Sequence, residues 1–106
     1  TLPPGKESSM RHHHTREDEL VFVLEGELVL RTDEGEQVLV AGSCAGFRAG
    51  SGDAHQLVNR SDRPARYLEI SNRDPADHVV YPDIDLAYRE AEDGAPGYTH
   101  KDGTPY

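Results

Sequence analysis

The sequence predicts an all-β domain, a small sandwich or barrel of antiparallel strands. Apolar and polar residues alternate with a period of two over much of residues 6–73, which is typical of strands with one buried face. Turn-forming Gly, Asp and Asn residues separate the apolar segments at short intervals. A chain of 106 residues is about one domain in length. Six or seven short strands joined by short turns favour this architecture over a helical one.

The strands are predicted in order from the apolar segments. The first pair, 20–24 and 28–30, is joined by a tight turn in which Gly26 provides a positive φ. The strands that follow are predicted at 38–40, 44–47, 54–60 and 65–71. These segments belong to a barrel core spanning residues 1–73.

Residues 74–106 are predicted to be a C-terminal extension packed on the barrel, so that the chain forms one domain overall. Residues 86–92 have room for two helical turns, with Asp85 as the N-terminal cap and Gly94 at the end. The remainder is expected to be largely irregular and to run over the barrel surface, because prolines interrupt regular structure. These prolines are Pro75, Pro82, Pro96 and Pro105.

Charge and cysteine content narrow the class of protein. The chain has 20 acidic and 11 basic residues, a net charge of −9, and the acidic excess lies mainly in residues 74–106. Such a surface disfavours nucleic-acid binding, which needs clustered positive charge. The longest apolar run, 20–24, is too short to cross a membrane. Cys44 is the only cysteine, so no disulfide forms within the chain, a cytoplasmic location is expected, and a buried, inert thiol is predicted.

The strand at residues 20–24 is apolar at every position. A strand with one face in water alternates instead, so something is expected to cover its outer side. The acidic extension, an absent N-terminal strand and a second subunit are all candidates. The second subunit is favoured, and a homodimer is therefore expected.

A run of histidines and acids carries the chemistry. If residues 8–14 form a strand, His12 and His14 project from the same face and His13 from the other. Glu19 begins the next strand and can fold back toward the two imidazoles, whereas Glu17 is interpreted as solvated. His55, beside a Gly-rich loop, is the natural fourth ligand. Three imidazoles and one carboxylate suit a divalent transition metal such as Zn, Mn, Fe or Ni.

The same residues resemble the motifs of the cupin superfamily. In the first motif, four residues separate His14 from Glu19 and six separate Glu19 from Gly26. His55 and Asn59 match the end of the second motif, with three residues between them. The resemblance covers about residues 3–73 and extends to small bacterial single-domain cupins, most of which have no assigned activity. It implies a jelly-roll barrel with a metal at its centre, held by His12, His14, Glu19 and His55.

The second motif departs from the family pattern. With Gly42 as the first glycine of the motif, Arg48 stands where the family has a proline and two additional residues precede His55. With Gly52 as the second glycine instead, the proline position falls at Gly50. The proline is absent in both alignments, and the two-residue insertion is the simpler account. Asn59 is expected to fix a loop by hydrogen bonding rather than to touch a substrate.

Three functions are compatible with this pattern. The first is a metal-dependent enzyme, isomerising or using O₂, that transforms a small molecule in the barrel. The second is a non-catalytic module that binds a small ligand and works with a partner domain. The third is a purely structural metal enclosed by protein. The cupin resemblance alone does not specify a reaction, because one fold supports many activities.

Overall fold

The computed structural model describes residues 1–89 and 97–106, and it confirms the all-β prediction. Ten strands occur within these described ranges, all paired in antiparallel fashion. Their bounds are β1 His13–His14, β2 Glu19–Glu25, β3 Glu27–Thr32, β4 Gly35–Val40, β5 Cys44–Phe47, β6 Gln56–Val58, β7 Arg66–Ser71, β8 His78–Tyr81, β9 Leu86–Arg89 and β10 Tyr98–Thr99. No helix long and apolar enough to span a membrane occurs in the described part of the chain.

Two three-stranded sheets enclose the core. One has the order β5-β2-β7 and the other the order β4-β3-β6. Alternation along β2 sends Val21 and Val23 into the core and leaves Leu20 and Phe22 on the outer face. The core is a single cluster of buried side chains drawn from both sheets and the N-terminal segment, namely Leu2, Val21, Val23, Leu28, Leu30, Leu39, Leu57 and Ala65.

The N-terminal segment is less regular than a continuous strand over 8–14. Only His13–His14 form β1, and the preceding residues touch the barrel through isolated pairs. One of these pairs is His12 with His55, joined by two backbone hydrogen bonds of 2.8 and 3.0 Å. The pairing therefore brings two of the predicted ligands side by side without a long strand.

The C-terminal extension contains more sheet than expected. Strands β8, β9 and β10 join β1 in a sheet of order β1-β8-β9-β10. The predicted helix is wrong for Leu86–Arg89, which form β9, and the rest of it lies outside the described residues. Two turns of helix are marginal alone, whereas β9 gains backbone pairing on both sides. Asp85 caps no helix, and its carboxylate accepts hydrogen bonds from the backbone and side chain of the segment after β10.

Cys44 also differs from the prediction, since its side chain is exposed. It begins β5 opposite Phe22 of β2, on the outer face of the sheet. An apolar segment on an edge strand does not reveal which of its two faces is buried, and here Ala45 and Phe47 pack against the core instead.

Candidate metal centre

The four predicted ligands come from three parts of the fold. His14 lies in β1, and Glu19 begins β2 after a four-residue connection. His12 precedes β1 and pairs with His55, which precedes β6. Glu19 faces inward and is buried, because β2 begins at the mouth of the barrel with its odd-numbered residues toward the core.

Nitrogen and oxygen donors converge on one carboxylate oxygen. His14 Nε2 contacts Glu19 Oε1, His55 Nε2 lies 3.5 Å from the same oxygen, and His12 Nε2 lies 4.0 Å from it. Donor atoms of His12, His14 and Glu19 all lie within 4.8 Å of one another. His55 stands at the edge of this group, with its ring centroid 6.4 Å from that of His14. The spacing of the first three donors suits one ion.

Two of the imidazoles are oriented through their Nδ1 atoms. His12 Nδ1 lies 2.8 Å from the carbonyl oxygen of Met10 and 3.0 Å from Ser9 Oγ. His14 Nδ1 lies 2.6 Å from Asp77 Oδ2. In each case Nε2 is left facing Glu19, the arrangement by which proteins fix the tautomer of metal-binding histidines.

His55 is held by stacking. Its ring lies 3.7 Å from that of Phe47, with 9° between the ring planes. The two-residue insertion before His55 does not displace it from the cluster, because the backbone pairing with His12 fixes its position.

Two buried polar atoms without hydrogen-bond partners indicate whether the residues fit a metal ion. Within the described residues, Glu19 Oε1 and His55 Nδ1 are buried and make no hydrogen bond of good geometry. An unsatisfied buried acceptor is costly, and a cation beside Glu19 Oε1 would satisfy it. The donor set and this carboxylate oxygen therefore fit a divalent transition metal.

The ionisation of the cluster reflects its mutual contacts. Burial alone would raise the pKa of Glu19, but its close contacts with the His14 and His55 imidazoles lower it well below its usual value. Burial likewise lowers the pKa of His14, yet contacts with Glu19 and Asp77 outweigh it and raise that pKa to about 9. For His12, burial dominates and lowers the pKa. In the metal-free protein His14 is therefore protonated at neutral pH.

This ionisation pattern predicts a proton count for metal binding. An imidazole must be neutral to bind a metal, and His14 remains protonated below its pKa of about 9. Metal binding at pH 7 should release about one proton from His14, and affinity should rise with pH up to about 9. Titration calorimetry in two buffers of different ionisation enthalpy counts the protons. No proton release at pH 7, or a metal content unchanged after dialysis at about pH 5, would contradict ligation by His14.

Asp77 belongs to the candidate site, although the sequence pattern did not single it out. It is buried directly before β8, where Oδ1 accepts hydrogen bonds from the backbone N–H groups of Arg16 and Glu17 at 2.8 and 3.0 Å. Its other oxygen contacts His14. No motif links an aspartate in the acidic extension to a histidine 63 residues away, and only the pairing of β8 with β1 brings them together.

We expect Asp77→Asn to weaken metal binding about 10- to 100-fold, because a neutral amide orients His14 less firmly and makes its Nε2 a poorer donor. The affinity can be measured by competition with a chromogenic chelator. Asp62→Asn, in an exposed loop, is the matched control and should bind metal as the unaltered protein does. Equal affinities in all three proteins would remove Asp77 from the metal centre.

The structure corrects the interpretation of Glu17 as a solvated acid. Its side chain is partly buried, its Oε2 lies 3.9 Å from His14 Nδ1, and it forms a second candidate group with His14 and Asp77. Burial, with the nearby Asp77 charge, raises its pKa.

His13 takes no part in either donor group of the described residues. Asn59 is fully buried and fixes a loop as expected, donating to the carbonyl oxygens of Leu2 and Arg63.

The four predicted ligands line a pocket of about 420 Å³ inside the barrel mouth. Its walls present both polar and apolar surface and include Glu69 and Tyr67 of β7, Tyr81 of β8 and Arg73. A hydrogen bond with Glu19, together with burial, raises the pKa of Glu69 to about 7. Arg73 is the one Lys or Arg side chain among the pocket residues that the structure describes, and it adopts an uncommon positive φ of 50°.

Comparison with protein families identifies one family whose model matches this chain. The Cupin_2 model, described as a cupin domain, matches residues 1–71. No curated protein matches the chain.

Solved structures of similar fold carry activity names. A sugar phosphate isomerase from a cupin superfamily, from Silicibacter pomeroyi, is 45% identical over 99% of this chain, with a TM-score of 0.93. A structure from Acidithiobacillus ferrooxidans, whose name assigns the same activity provisionally, is 28% identical over 98% of this chain, with a TM-score of 0.84. This chain covers 66% and 65% of those two chains, respectively.

A third similar structure has a different role in its name. The Cupin_2 domain of an XRE family transcriptional regulator from Enterobacter cloacae is 30% identical over 69% of this chain. The TM-score is 0.57, and the match covers 75% of that domain.

Proposed function

Because the chain belongs to the Cupin_2 family of cupin domains, we propose that it binds a divalent transition metal through His12, His14, Glu19 and His55 and isomerises a small sugar phosphate beside it. The observation that carries this proposal is the convergence of three imidazole Nε2 atoms on the buried Oε1 of Glu19. The donors line a pocket that communicates with solvent, which favours an accessible ion over an enclosed structural one.

The substrate class is supported by the pocket and by the similar structures. Two of those structures are named as sugar phosphate isomerases, one of them provisionally. The volume of about 420 Å³ accommodates a small sugar. Arg73 supplies a guanidinium suited to a phosphate group, and the hydroxyl groups of Tyr67 and Tyr81 are available to sugar hydroxyls.

The chain's own residues account for the proton movements of an isomerisation. Moving a carbonyl between adjacent carbons transfers a proton between those carbons and another between their oxygens, with no net oxidation. Glu69, with a pKa of about 7, exchanges protons readily at neutral pH and lies in the pocket beside Glu19. When bound, a divalent ion would supply Lewis-acid polarisation of the substrate carbonyl.

The test uses protein loaded separately with Zn²⁺, Mn²⁺, Fe²⁺ or Ni²⁺ and incubated with triose to hexose phosphates in D₂O. We expect deuterium to enter at the carbon next to the carbonyl, which NMR detects. We also expect the aldose and ketose forms to interconvert. Glu69→Gln should retain metal but lose exchange by 100-fold or more. Absence of exchange and interconversion for every sugar phosphate in the metal-loaded protein would contradict the isomerase proposal.

The alternative is a ligand-binding module that senses a small molecule without transforming it. It is favoured by the similarity to the Cupin_2 domain of a transcriptional regulator. Calorimetry that shows saturable binding of a sugar phosphate, with no exchange of its protons, would support this alternative.

A further inference from the structure

The aromatic ring of Phe47 covers one of the candidate metal ligands. Phe47 ends β5 and is paired with Glu19 of β2, and paired residues of neighbouring strands project to the same face of a sheet. Since Glu19 faces the barrel interior, Phe47 does so too, and it packs against the core. Its ring meets the imidazole of His55 with a centroid distance of 3.7 Å and 9° between the ring planes. One side chain therefore adjoins two candidate ligands.

His55 lacks the support that the other two imidazoles have. His12 and His14 place Nδ1 at 2.8 and 2.6 Å, respectively, from an oxygen atom. Nδ1 of His55 is buried and has no hydrogen-bond partner among the described residues. A metal-binding imidazole usually donates this N–H to an acceptor, which fixes the orientation of the ring. At His55 the stacking contact with Phe47 takes the place of that hydrogen bond.

The geometry of the stack indicates which state of the imidazole it suits. Carbon atoms in contact lie roughly 3.5 to 4 Å apart, so a centroid distance of 3.7 Å between nearly parallel rings leaves little lateral offset. Two neutral aromatic rings disfavour this face-to-face arrangement, because both faces are electron-rich. A positively polarised imidazole instead gains from lying over the face of a phenyl ring. The stack therefore suits an imidazole from which a cation withdraws electrons.

We propose that Phe47 is a positioning residue of the metal centre, whose ring stabilises His55 most when His55 Nε2 binds the ion. This inference rests on the proposed metal binding and is independent of the isomerisation. Nε2 of His55 lies 3.5 Å from Glu19 Oε1, so an ion held by this carboxylate meets the edge of the imidazole while the phenyl ring covers its face. Coupling between two contacts is reciprocal, and the phenyl ring thereby raises the affinity of the site for the ion.

Fluorination of the phenyl ring tests the proposal without removing the side chain. Fluorine withdraws electrons from the face of the ring and changes its shape little, so mono-, tri- and pentafluorophenylalanine at position 47 weaken the attraction stepwise. The chain has two phenylalanines. The other one, Phe22, is exposed on the outer face of the same sheet, and the same series at that position is the matched control. Competition with a chromogenic chelator measures the affinity for Zn²⁺.

We expect the Zn²⁺ affinity to fall stepwise along the series at position 47, by about 10-fold with the pentafluoro ring, and to stay constant along the series at position 22. A purely structural ring would give no such trend, because the fluorinated rings fill nearly the same space. Unchanged affinity along the series at position 47, in a protein that binds Zn²⁺, would overturn this proposal and leave the proposed metal binding intact. Failure of the unaltered protein to bind Zn²⁺, Mn²⁺, Fe²⁺ or Ni²⁺ would overturn both.

A double-mutant cycle determines whether Phe47 acts through His55. Phe47→Leu keeps an apolar side chain against the core but removes the ring, and we expect it to lower the Zn²⁺ affinity about 10-fold. In a His55→Ala background the same substitution should change the remaining affinity by less than about 2-fold, because the imidazole on which the ring acts is absent. Equal losses in the two backgrounds would overturn the proposal. The fluorinated series retains the ring and decides the question if Phe47→Leu does not fold.

Discussion

Replacing His55 with alanine is expected to lower the affinity for a divalent transition metal at least 100-fold and to abolish turnover of any substrate handled at the metal. The variant removes one of the imidazoles that lie around Glu19 Oε1, 3.5 Å away. Losing a ligand leaves the ion with two imidazoles and one carboxylate from the predicted set, a weaker site for borderline-soft metals. Elemental analysis of protein purified without added metal, followed by calorimetry, measures the loss.

The control for this prediction is another histidine. His78 lies in β8, is exposed, and belongs to neither donor group of the described residues. His78→Ala should therefore bind metal as the unaltered protein does. His55 stacks on Phe47, so the thermal melting of each metal-free variant is compared to separate a folding defect from a lost ligand. Full metal content in a folded His55→Ala protein would exclude His55 from the metal centre.

The sequence predicted the barrel because its signals are local. Turn residues and alternation located β2 to β7 to within a few residues, and the predicted segment 44–47 coincides with β5. The predicted strand 54–60 proved longer than β6, since hydrogen bonding in this region is shared with isolated pairs to the N-terminal segment. Strand ends depend on such partners, and a strand's own residues do not specify them.

The candidate ligands were predicted from spacing, whereas the residues around them were not. Motif spacing identified His12, His14 and Glu19, whose donor atoms lie within 4.8 Å of one another. Asp77 and Glu69 reach the cluster through the pairing of β8 with β1 and of β7 with β2. Sheet order between distant segments is a property of the whole fold, so sequence spacing carried no signal for either residue.

The structure of the acidic extension was likewise not predictable from local sequence signals. Its prolines and short apolar segments indicated irregular structure, yet β8 and β9 form a four-residue ladder. Pro75 and Pro82 lie just outside β8, where a missing N–H does not interrupt pairing. The extension thereby presents Asp77 to His14, which makes it part of the candidate site rather than a cover for the barrel alone.

The largest expected effect on stability comes from the glycine between β2 and β3. Gly26 has a φ of +85°, and a Cβ at this position would lie 3.0 Å from both Ala65 Cα and the Pro64 carbonyl oxygen. The contacts are with backbone and with Ala65, which is fully buried, so the neighbours have little freedom to move. Gly26→Ala therefore combines left-handed backbone strain with overpacking, and we expect it to cost about 3 kcal/mol of unfolding free energy.

Gly42→Ala separates the two contributions. Gly42 has nearly the same φ, +89°, but a Cβ there meets nothing within 4 Å. This variant keeps only the backbone strain and should cost about 1 kcal/mol. Urea denaturation of the metal-free proteins measures both free energies, because a bound ion would add its own stabilisation. Equal losses in the two variants would show that the close approach of β2 and β3 to Ala65 contributes nothing beyond the conformation of the turn.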